Sequence, residues 1–363
     1  MPTSIKPNLF ICTSNQFGYL TDTYKYCEYG RHHFNITYLC WDYNLPKIEL
    51  NNVSIIYINR NGNLFTRNFR LLQAIYDFIN KNNFKYNFIV YIRGISIVKL
   101  LLPTSSIILD IRTASVHTKK SKRIIYNSFL RIESIFFKRI SVISEGVANS
   151  LRLKKFQVLP LGGDNFKPIS SRNLILTFIY VGTLAGRDII TFVKAFYQFC
   201  LNNSDQHFVL KIIGDSPNNE LEELQDFVNQ NQILNIELLG RVNQKDLHKQ
   251  FLNANIGVSY IPIKPWYEFQ PPTKTFEYLV SGLPVIATST FENKKIIREN
   301  NGVLIDDNFD SIINGLEAIK NKFYSGGYDE NLIKSESEKF SWKFIVENFL
   351  KSVLENGTFP KST

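Results

Sequence analysis

Long apolar runs are missing from this chain. No stretch of about 18 uninterrupted apolar residues occurs, so no membrane-spanning helix is expected. The opening Met1-Pro2-Thr3-Ser4-Ile5-Lys6-Pro7 has no apolar core of signal-peptide length. Cysteine is scarce. Cys12, Cys27, Cys40 and Cys200 have spacings that fit neither a zinc motif nor a disulfide framework, which points to a reducing cytosol. The Asn-x-Ser/Thr triplets at Asn35, Asn52, Asn202 and Asn356 then read as chance matches in an asparagine-rich chain. Internal repeats and low-complexity segments are absent too, as are a Walker A loop and a G-x-G-x-x-G fingerprint.

What is present is enough for two ordinary domains: 363 residues with typical apolar content and plentiful aromatics. Charge is unevenly placed. Residues 1–165 hold 22 Lys+Arg against 9 Asp+Glu, a balance of +13, whereas residues 166–363 hold 20 against 23, a balance of −3. A basic first half suits an anionic membrane surface, an anionic substrate or nucleic acid; a merely solvated basic face is the plainer reading. No nucleic-acid recognition motif accompanies the charge, so no nucleic-acid partner is expected.

Strand and helix patterns alternate along the whole chain, which predicts α/β architecture with parallel sheets. Strands are expected at 9–13, 35–40, 53–58, 88–91, 106–110, 141–144 and 156–160, with helices at 67–81 and 121–137. Residues 162–173, rich in Gly, Pro, Ser and Asn, read as a linker. A second series follows, with strands at 176–181, 208–214, 236–240 and 256–260 and helices at 188–201, 219–230 and 244–254. A last helix, 341–355, has Ser341 as a plausible N-cap. The boundaries expected are 1–165, 166–340 and a crossing-back helix at 341–363. Two consecutive open α/β domains put a ligand in the crevice between them, outside the carboxyl ends of the strands.

The most informative segment is Tyr267-Glu268-Phe269-Gln270-Pro271-Pro272-Thr273-Lys274-Thr275-Phe276-Glu277-Tyr278-Leu279-Val280-Ser281-Gly282-Leu283-Pro284-Val285-Ile286-Ala287. It reads as a loop, a helix start, a short helix, a glycine stop and a buried strand. Pro271 and Pro272 cannot donate N–H bonds, so the first free donors are expected at Thr273, Lys274 and Thr275. A helix N-terminus with a lysine in its first turn suits a diphosphate. Glu277, at i+3 from Lys274, can accept hydrogen bonds from ribose hydroxyls; an ordinary exposed i,i+3 pair is the bland alternative.

Other strand ends add candidates. Gly182-Thr183-Leu184-Ala185-Gly186-Arg187 leads into a helix; its glycines allow close approach to a phosphate, and Arg187 can bind phosphate oxygens in bidentate fashion. Gly214-Asp215-Ser216 and Gly240-Arg241-Val242 follow the next two strands. In the first half, Asp110 and Arg112 end a strand and His117 follows, candidates for acting on an acceptor hydroxyl. Their plainer roles are a structural ion pair and a surface histidine. The helix at 121–140 places Ile124, Ile125, Phe129, Ile132 and Phe136 among Lys122, Arg123, Arg131, Lys138 and Arg139. Its commoner explanation is an apolar face on the core; the alternative is an apolar face on an anionic membrane.

With these residues in place, the second half resembles glycosyltransferase family 4, the retaining sugar transferases of GT-B fold. The resemblance runs through Tyr180-Val181-Gly182-Thr183-Leu184, Ile213-Gly214-Asp215, Leu239-Gly240-Arg241-Val242, Pro271 to Tyr278, Ser281 to Thr288, and Asn301-Gly302-Val303-Leu304-Ile305. It implies two Rossmann-like domains facing each other across a cleft, with the first binding the acceptor and the second a nucleotide-diphospho-sugar donor. It implies that Glu277 binds the donor ribose and that Arg187, Lys274 and the N–H groups near Thr273 hold the diphosphate. Gly182 and Thr183 would close over it, and Arg241 and Val242 would sit near the base. Glu268 would stand in for the first glutamate of the family's pair, although it lies nine rather than eight residues before Glu277, where Phe269 stands. The family's Arg and Lys pair is reduced here to Arg187, with Lys274 supplying the second charge. Asp110, Arg112 and His117 are the candidates for the first domain's catalytic position. No metal is needed in such a site. The acceptor implied is a glycan or a lipid-diphosphate-linked sugar, in surface polysaccharide synthesis, and the location is the cytoplasm or the inner face of the cell membrane. The rivals are a sugar-nucleotide epimerase of the same fold and a sugar-nucleotide-binding protein without catalysis.

Overall fold

The computed structural model of the protein describes residues 6–166, 175–242 and 244–355. Residues 167–173 of the expected linker and 356–363 of the expected last segment lie outside the described residues. The chain divides into two units, Met1–Leu161 with Trp342–Thr363, and Gly162–Ser341.

The first unit runs β1 (Asn8–Thr13), α1 (Thr21–Gly30), β2 (Asn35–Asp42), β3 (Val53–Asn59), α2 (Leu64–Lys81), β4 (Tyr86–Val90), α3 (Ile95–Leu101), β5 (Ile107–Ile111), α4 (Lys120–Ser134), β6 (Arg139–Val142), α5 (Glu145–Ser150) and β7 (Gln157–Val158). Its seven strands lie in the order β3-β2-β1-β4-β5-β6-β7, and every pair is parallel. The central strands are largely apolar because both faces are covered: Leu9 to Cys12 and Ile107 to Ile111 are all buried, Asp110 being the charged exception. Residues 342–355 are helical, with a π-helical middle at Ile345–Leu350. They pack on α1, where Trp342 meets Tyr26 edge-on with centroids 6.1 Å apart. Arg139 fastens the end of this stretch by donating to the carbonyls of Val353 and Leu354.

One face of this unit departs from the sequence expectation. In α4 the buried side chains are Leu130, Glu133 and Ser134. Ile124, Ile125, Phe129 and Ile132 are exposed, as is Phe136 just beyond the helix, so the core-facing reading of this apolar stripe is overturned. The reason is polar. The Glu133 carboxylate turns inward because it accepts the N–H groups of Gly94 (2.9 Å to each oxygen) and Ser96 (3.2 Å) and the Tyr91 hydroxyl (3.1 Å). It thereby supplies the first turn of α3 with the acceptor that an N-cap side chain would otherwise provide.

The second unit runs β8 (Leu176–Val181), α6 (Ile189–Asn202), β9 (Phe208–Ile213), α7 (Glu220–Gln230), β10 (Ile236–Gly240), α8 (Gln244–Leu252), β11 (Ile256–Ser259), α9 (Thr273–Val280), β12 (Val285–Thr288), α10 (Phe291–Ile296), β13 (Gly302–Ile305), α11 (Phe309–Tyr324) and α12 (Glu330–Ser337). Six parallel strands lie in the order β10-β9-β8-β11-β12-β13. The core beside β8 and β9 is aromatic: Phe178, Phe196, Phe199 and Phe208 are buried in mutual contact. Each such ring contributes about 1.5–3 kcal/mol by burial alone. The strand order reverses between β8 and β11. In open α/β sheets, ligands bind outside the carboxyl ends at that switch.

Candidate active site

At the carboxyl end of β8 the chain must turn sharply beside β9. Gly182 has φ +144 and Gly214 φ +153, and a Cβ on Gly214 would lie 1.9 Å from the Gly182 carbonyl oxygen. Only glycine fits that approach. The turn after Gly182 is pinned from three sides. Leu184 N–H donates to the Asp215 carbonyl (3.0 Å), the Tyr180 hydroxyl to the Thr183 carbonyl (2.8 Å), and Gly186 N–H to the Glu220 carboxylate (3.1 Å). The Ser216 hydroxyl, the Gly186 N–H and the Asn218 side chain hold the Glu220 carboxyl below its ordinary pKa range.

Two cations meet at this strand end, and neither forms an ion pair with a carboxylate among the described residues. The Lys274 ammonium lies 3.5 Å from the centroid of the Tyr180 ring, and a Cβ on Gly182 would come within 3.1 Å of it. The Arg187 guanidinium lies 4.4 Å from the centroid of the Tyr267 ring, and its Nη1 is buried without a hydrogen-bond partner. Burial pushes the Lys274 pKa well below the usual lysine range; Arg187 pushes it further, and Glu277 partly offsets this. Aromatic faces stabilise a cation without neutralising it. Both charges therefore remain available to an incoming anion.

The backbone adds donors. Pro272 is the N-cap of α9, with no side-chain cap. The N–H groups of Thr273 and Lys274 have no hydrogen-bond partner among the described residues. Thr275 corrects the sequence expectation: its N–H donates to the Pro272 carbonyl (3.1 Å), because the first turn tightens, and is not free. Glu277 follows one turn later, half-buried.

Helix α9 is seated by its own residues. The Tyr278 hydroxyl accepts the Val181 N–H at 2.9 Å. The Thr275 hydroxyl bonds the Ser259 hydroxyl (2.7 Å) and the Asn293 side-chain oxygen (3.1 Å). Gly163 lies against the helix backbone, where a Cβ would be 2.5 Å from Glu277 N.

The other candidates fall elsewhere. Glu268 caps α10, its carboxylate accepting the Phe291 N–H at 2.7 Å. Arg241 is exposed, 3.9 Å from an Asp215 carboxylate oxygen that is itself exposed, and Val242 packs on the core of the second unit. In the first unit Asp110 is fully buried, bonded to the Ser141 hydroxyl (2.7 Å) and 3.6 Å from Arg112 Nε. Arg112 is also buried; it binds Asp22 (2.6 Å) and the Leu159 carbonyl (2.8 Å). Burial pushes the Asp110 pKa up to about 6 against the opposing pull of Arg112 and Ser141. These contacts make Asp110 and Arg112 a structural network tying β5, α1 and the segment after β7. His117 is exposed; its Nδ1 accepts the Lys119 N–H (3.0 Å), and no hydrogen bond or ion pair joins it to Asp110 or Arg112.

Sequence reasoning passed over Tyr180 and Tyr267. Both sit inside quoted motifs, but an aromatic in a strand reads as core and one in a loop as incidental. The missed signal is pairing: each of the two anion-seeking cations has one tyrosine within reach.

Comparison with known proteins follows from this geometry. The family Glycosyl transferases group 1 matches residues 176–321. No curated protein sequence matches the chain. Among solved structures, Anabaena Alr3699/HepE in complex with UDP-glucose superposes with TM-score 0.72 at 10% identity, covering 95% of this chain and 99% of that one. An E. coli structure described as trehalose-6-phosphate bound with UDP-2-fluoro glucose gives 0.69 at 9% identity, covering 96% and 99%. The pneumococcal O-GlcNAc transferase GtfA in complex with UDP and GlcNAc gives 0.59 at 16%, covering 79% and 60%. At these identities the likeness is one of fold.

Proposed function

We propose that the protein is a glycosyltransferase that moves a hexose from a UDP-sugar to a glycan or lipid-diphosphate-linked acceptor with retention; the match of residues 176–321 to the family Glycosyl transferases group 1 and the GT-B-like fold of the chain support this reading. The single observation that carries the donor assignment is the pair of unneutralised cations, Lys274 and Arg187, beside the free N–H groups of Thr273 and Lys274. The uridine base and glucose-like sugar rest on the structures of HepE, solved with UDP and with UDP-glucose. Synthesis of a surface polysaccharide is the process this acceptor class fits.

In the mechanism the acceptor hydroxyl attacks the anomeric carbon from the side of the leaving diphosphate. The C–O bond to the diphosphate breaks, its electron pair stays on the diphosphate oxygen, and that oxygen takes the hydroxyl proton. Negative charge grows on the diphosphate as the bond lengthens. Lys274, Arg187 and the two N–H groups meet it there, preorganised in a poorly solvated place, so their attraction is larger in the transition state than in the ground state. Glu277 receives the ribose hydroxyls, and Gly182 and Thr183 let the loop approach the phosphates. Glu268 acts through α10 as an anchor.

Purified protein is incubated with a panel of nucleotide-diphospho-sugars and acceptors, and nucleotide diphosphate release and sugar incorporation are both followed. Transfer from a UDP-sugar is the expected result. Donor converted without acceptor would favour epimerase chemistry, and binding without turnover a non-catalytic role. Glu277→Ala removes a charged hydrogen-bonding group, a loss of about 1.5–3 kcal/mol. Donor affinity unchanged in that variant would sink the ribose role.

A further inference from the structure

We propose that the outer surface of α3 and α4 is a docking face for an anionic lipid bilayer. The apolar side chains on α4 are turned away from the sheet: Ile124, Ile125, Phe129 and Ile132 are all exposed, and Ile135, just past the helix, is 76% exposed, with Phe136 beside it. Projected at 3.6 residues per turn, these positions fill an arc of about 140° on the outer side of the helix. Only the small Ser121 and Ser128 interrupt the arc. Helix α3 packs on α4 and adds Ile97, Leu100 and Leu101, also exposed. A contiguous apolar surface of this extent on a protein marks a binding face.

The charge around it specifies the partner. From Arg93 to Lys138 the sequence holds nine Lys+Arg and two Asp+Glu. Both carboxylates, Asp110 and Glu133, are buried. No negative side chain of this stretch therefore reaches the surface. On the helical projection Lys120 and Arg131 border the apolar arc on one edge and Lys122 on the other. Lys119, Lys120, Lys122, Arg131 and Lys138 make no ion pair with a described carboxylate. Arg93 lies over the Phe129 ring, 4.7 Å from its centroid, at the rim of the face. An apolar centre whose exposed charges from Arg93 to Lys138 are all cationic is the pattern of a surface that sinks into the headgroup boundary of an anionic leaflet. A second copy of this chain fits poorly, because a two-fold contact sets this cationic border against itself.

The proposal is independent of the donor-site reading. It is tested by sedimenting the purified full chain with vesicles of phosphatidylcholine alone and with vesicles containing phosphatidylglycerol. Binding is expected to the anionic vesicles, weakening as salt rises. Phe129→Glu/Ile132→Glu is expected to lower binding at least ten-fold. Lys120→Glu/Lys122→Glu/Arg131→Glu is expected to do the same through charge alone. All substituted positions are exposed, and an unchanged thermal unfolding midpoint checks that each variant is folded. Failure of the wild-type chain to bind anionic vesicles, or equal binding by the folded variants, overturns the proposal. So does a Phe129→Glu/Ile132→Glu variant whose only effect is to dissociate an oligomer. Donor affinity, measured in the same samples, is expected to be unaffected, so failure here and failure of the donor assignment remain distinguishable.

Discussion

Lys274 holds its proton against two opposing influences, burial first and Arg187 second. Between its lowered folded-state pKa and the ordinary lysine value of 10.5, the unfolded chain binds a proton that the folded chain has lost. Stability therefore rises with pH through that window. Donor affinity runs the other way, because a diphosphate prefers the charged lysine. A nucleotide-diphospho-sugar should thus bind with net proton uptake at pH values inside that window. Calorimetric binding enthalpies in buffers of different ionisation enthalpy measure this uptake, and Lys274→Met should abolish it. Wild-type binding with no uptake at any pH in that range would remove Lys274 from the diphosphate. Asp110 gives the opposite sign. Its pKa is raised to about 6, so between the ordinary 3.8 and about 6 the folded chain holds a proton that the unfolded chain has released. Stability present at low pH is lost as pH rises through about 6, and Asp110→Asn should flatten that part of the curve in urea unfolding. Arg112→Ala should cost about 3–5 kcal/mol, since it leaves buried carboxylates unpaired. The same variant should leave donor affinity untouched, which a catalytic Arg112 at the donor would not allow.

Helix α9 shows what a single element needs before it can serve as a site. Its seat is built from a hydroxyl bond to β8 through Tyr278, hydroxyl bonds to Ser259 and Asn293 through Thr275, and backbone contact with Gly163. Gly163→Ala would force the helix backbone away. We expect a loss of about 1–3 kcal/mol in stability, as for other overpacked positions, together with weaker donor binding; a full-affinity, fully stable Gly163→Ala would show that the contact is slack. Sequence alone reads Gly162-Gly163 as the start of a linker, because nothing local reveals that a helix more than a hundred residues later lies against it. Strands were legible for the converse reason. Runs such as Leu176–Val181 are buried on both faces, and their composition records it. The start of α9 was legible from its prolines, with Thr275 the one misassigned donor. Helix α1, Thr21–Gly30, was not read: its sequence is polar and tyrosine-rich, and its N-cap Leu20 supplies no capping bond. Amphipathicity identified both faces of α4 but not which one meets the sheet. That choice was made by Glu133, whose partners at Tyr91, Gly94 and Ser96 are remote in sequence.

At the scale of the molecule the two units differ in charge more sharply than the halves of the sequence. The unit formed by Met1–Leu161 and Trp342–Thr363 holds 25 Lys+Arg against 10 Asp+Glu, and the Gly162–Ser341 unit holds 17 against 22. If the second unit takes the diphosphate as proposed, its net charge of −5 gives no attractive overall field, and the attraction must come from a few local groups in a poorly solvated place. Donor binding should therefore leave a confined signature. In hydrogen exchange, a saturating nucleotide-diphospho-sugar should protect amides of residues 182–187 and 266–277. The N–H groups of Thr273 and Lys274 should be the most affected, since they gain a partner. Ligand at about 100 times its Kd adds about 2.7 kcal/mol to the stability of the binding unit, enough to slow exchange limited by that unit's global opening roughly a hundred-fold. Amides in β1 to β7 should slow far less. Protection confined to the first unit, or absent from 273–274, would relocate the donor and leave the aromatic-held cations without their assigned ligand.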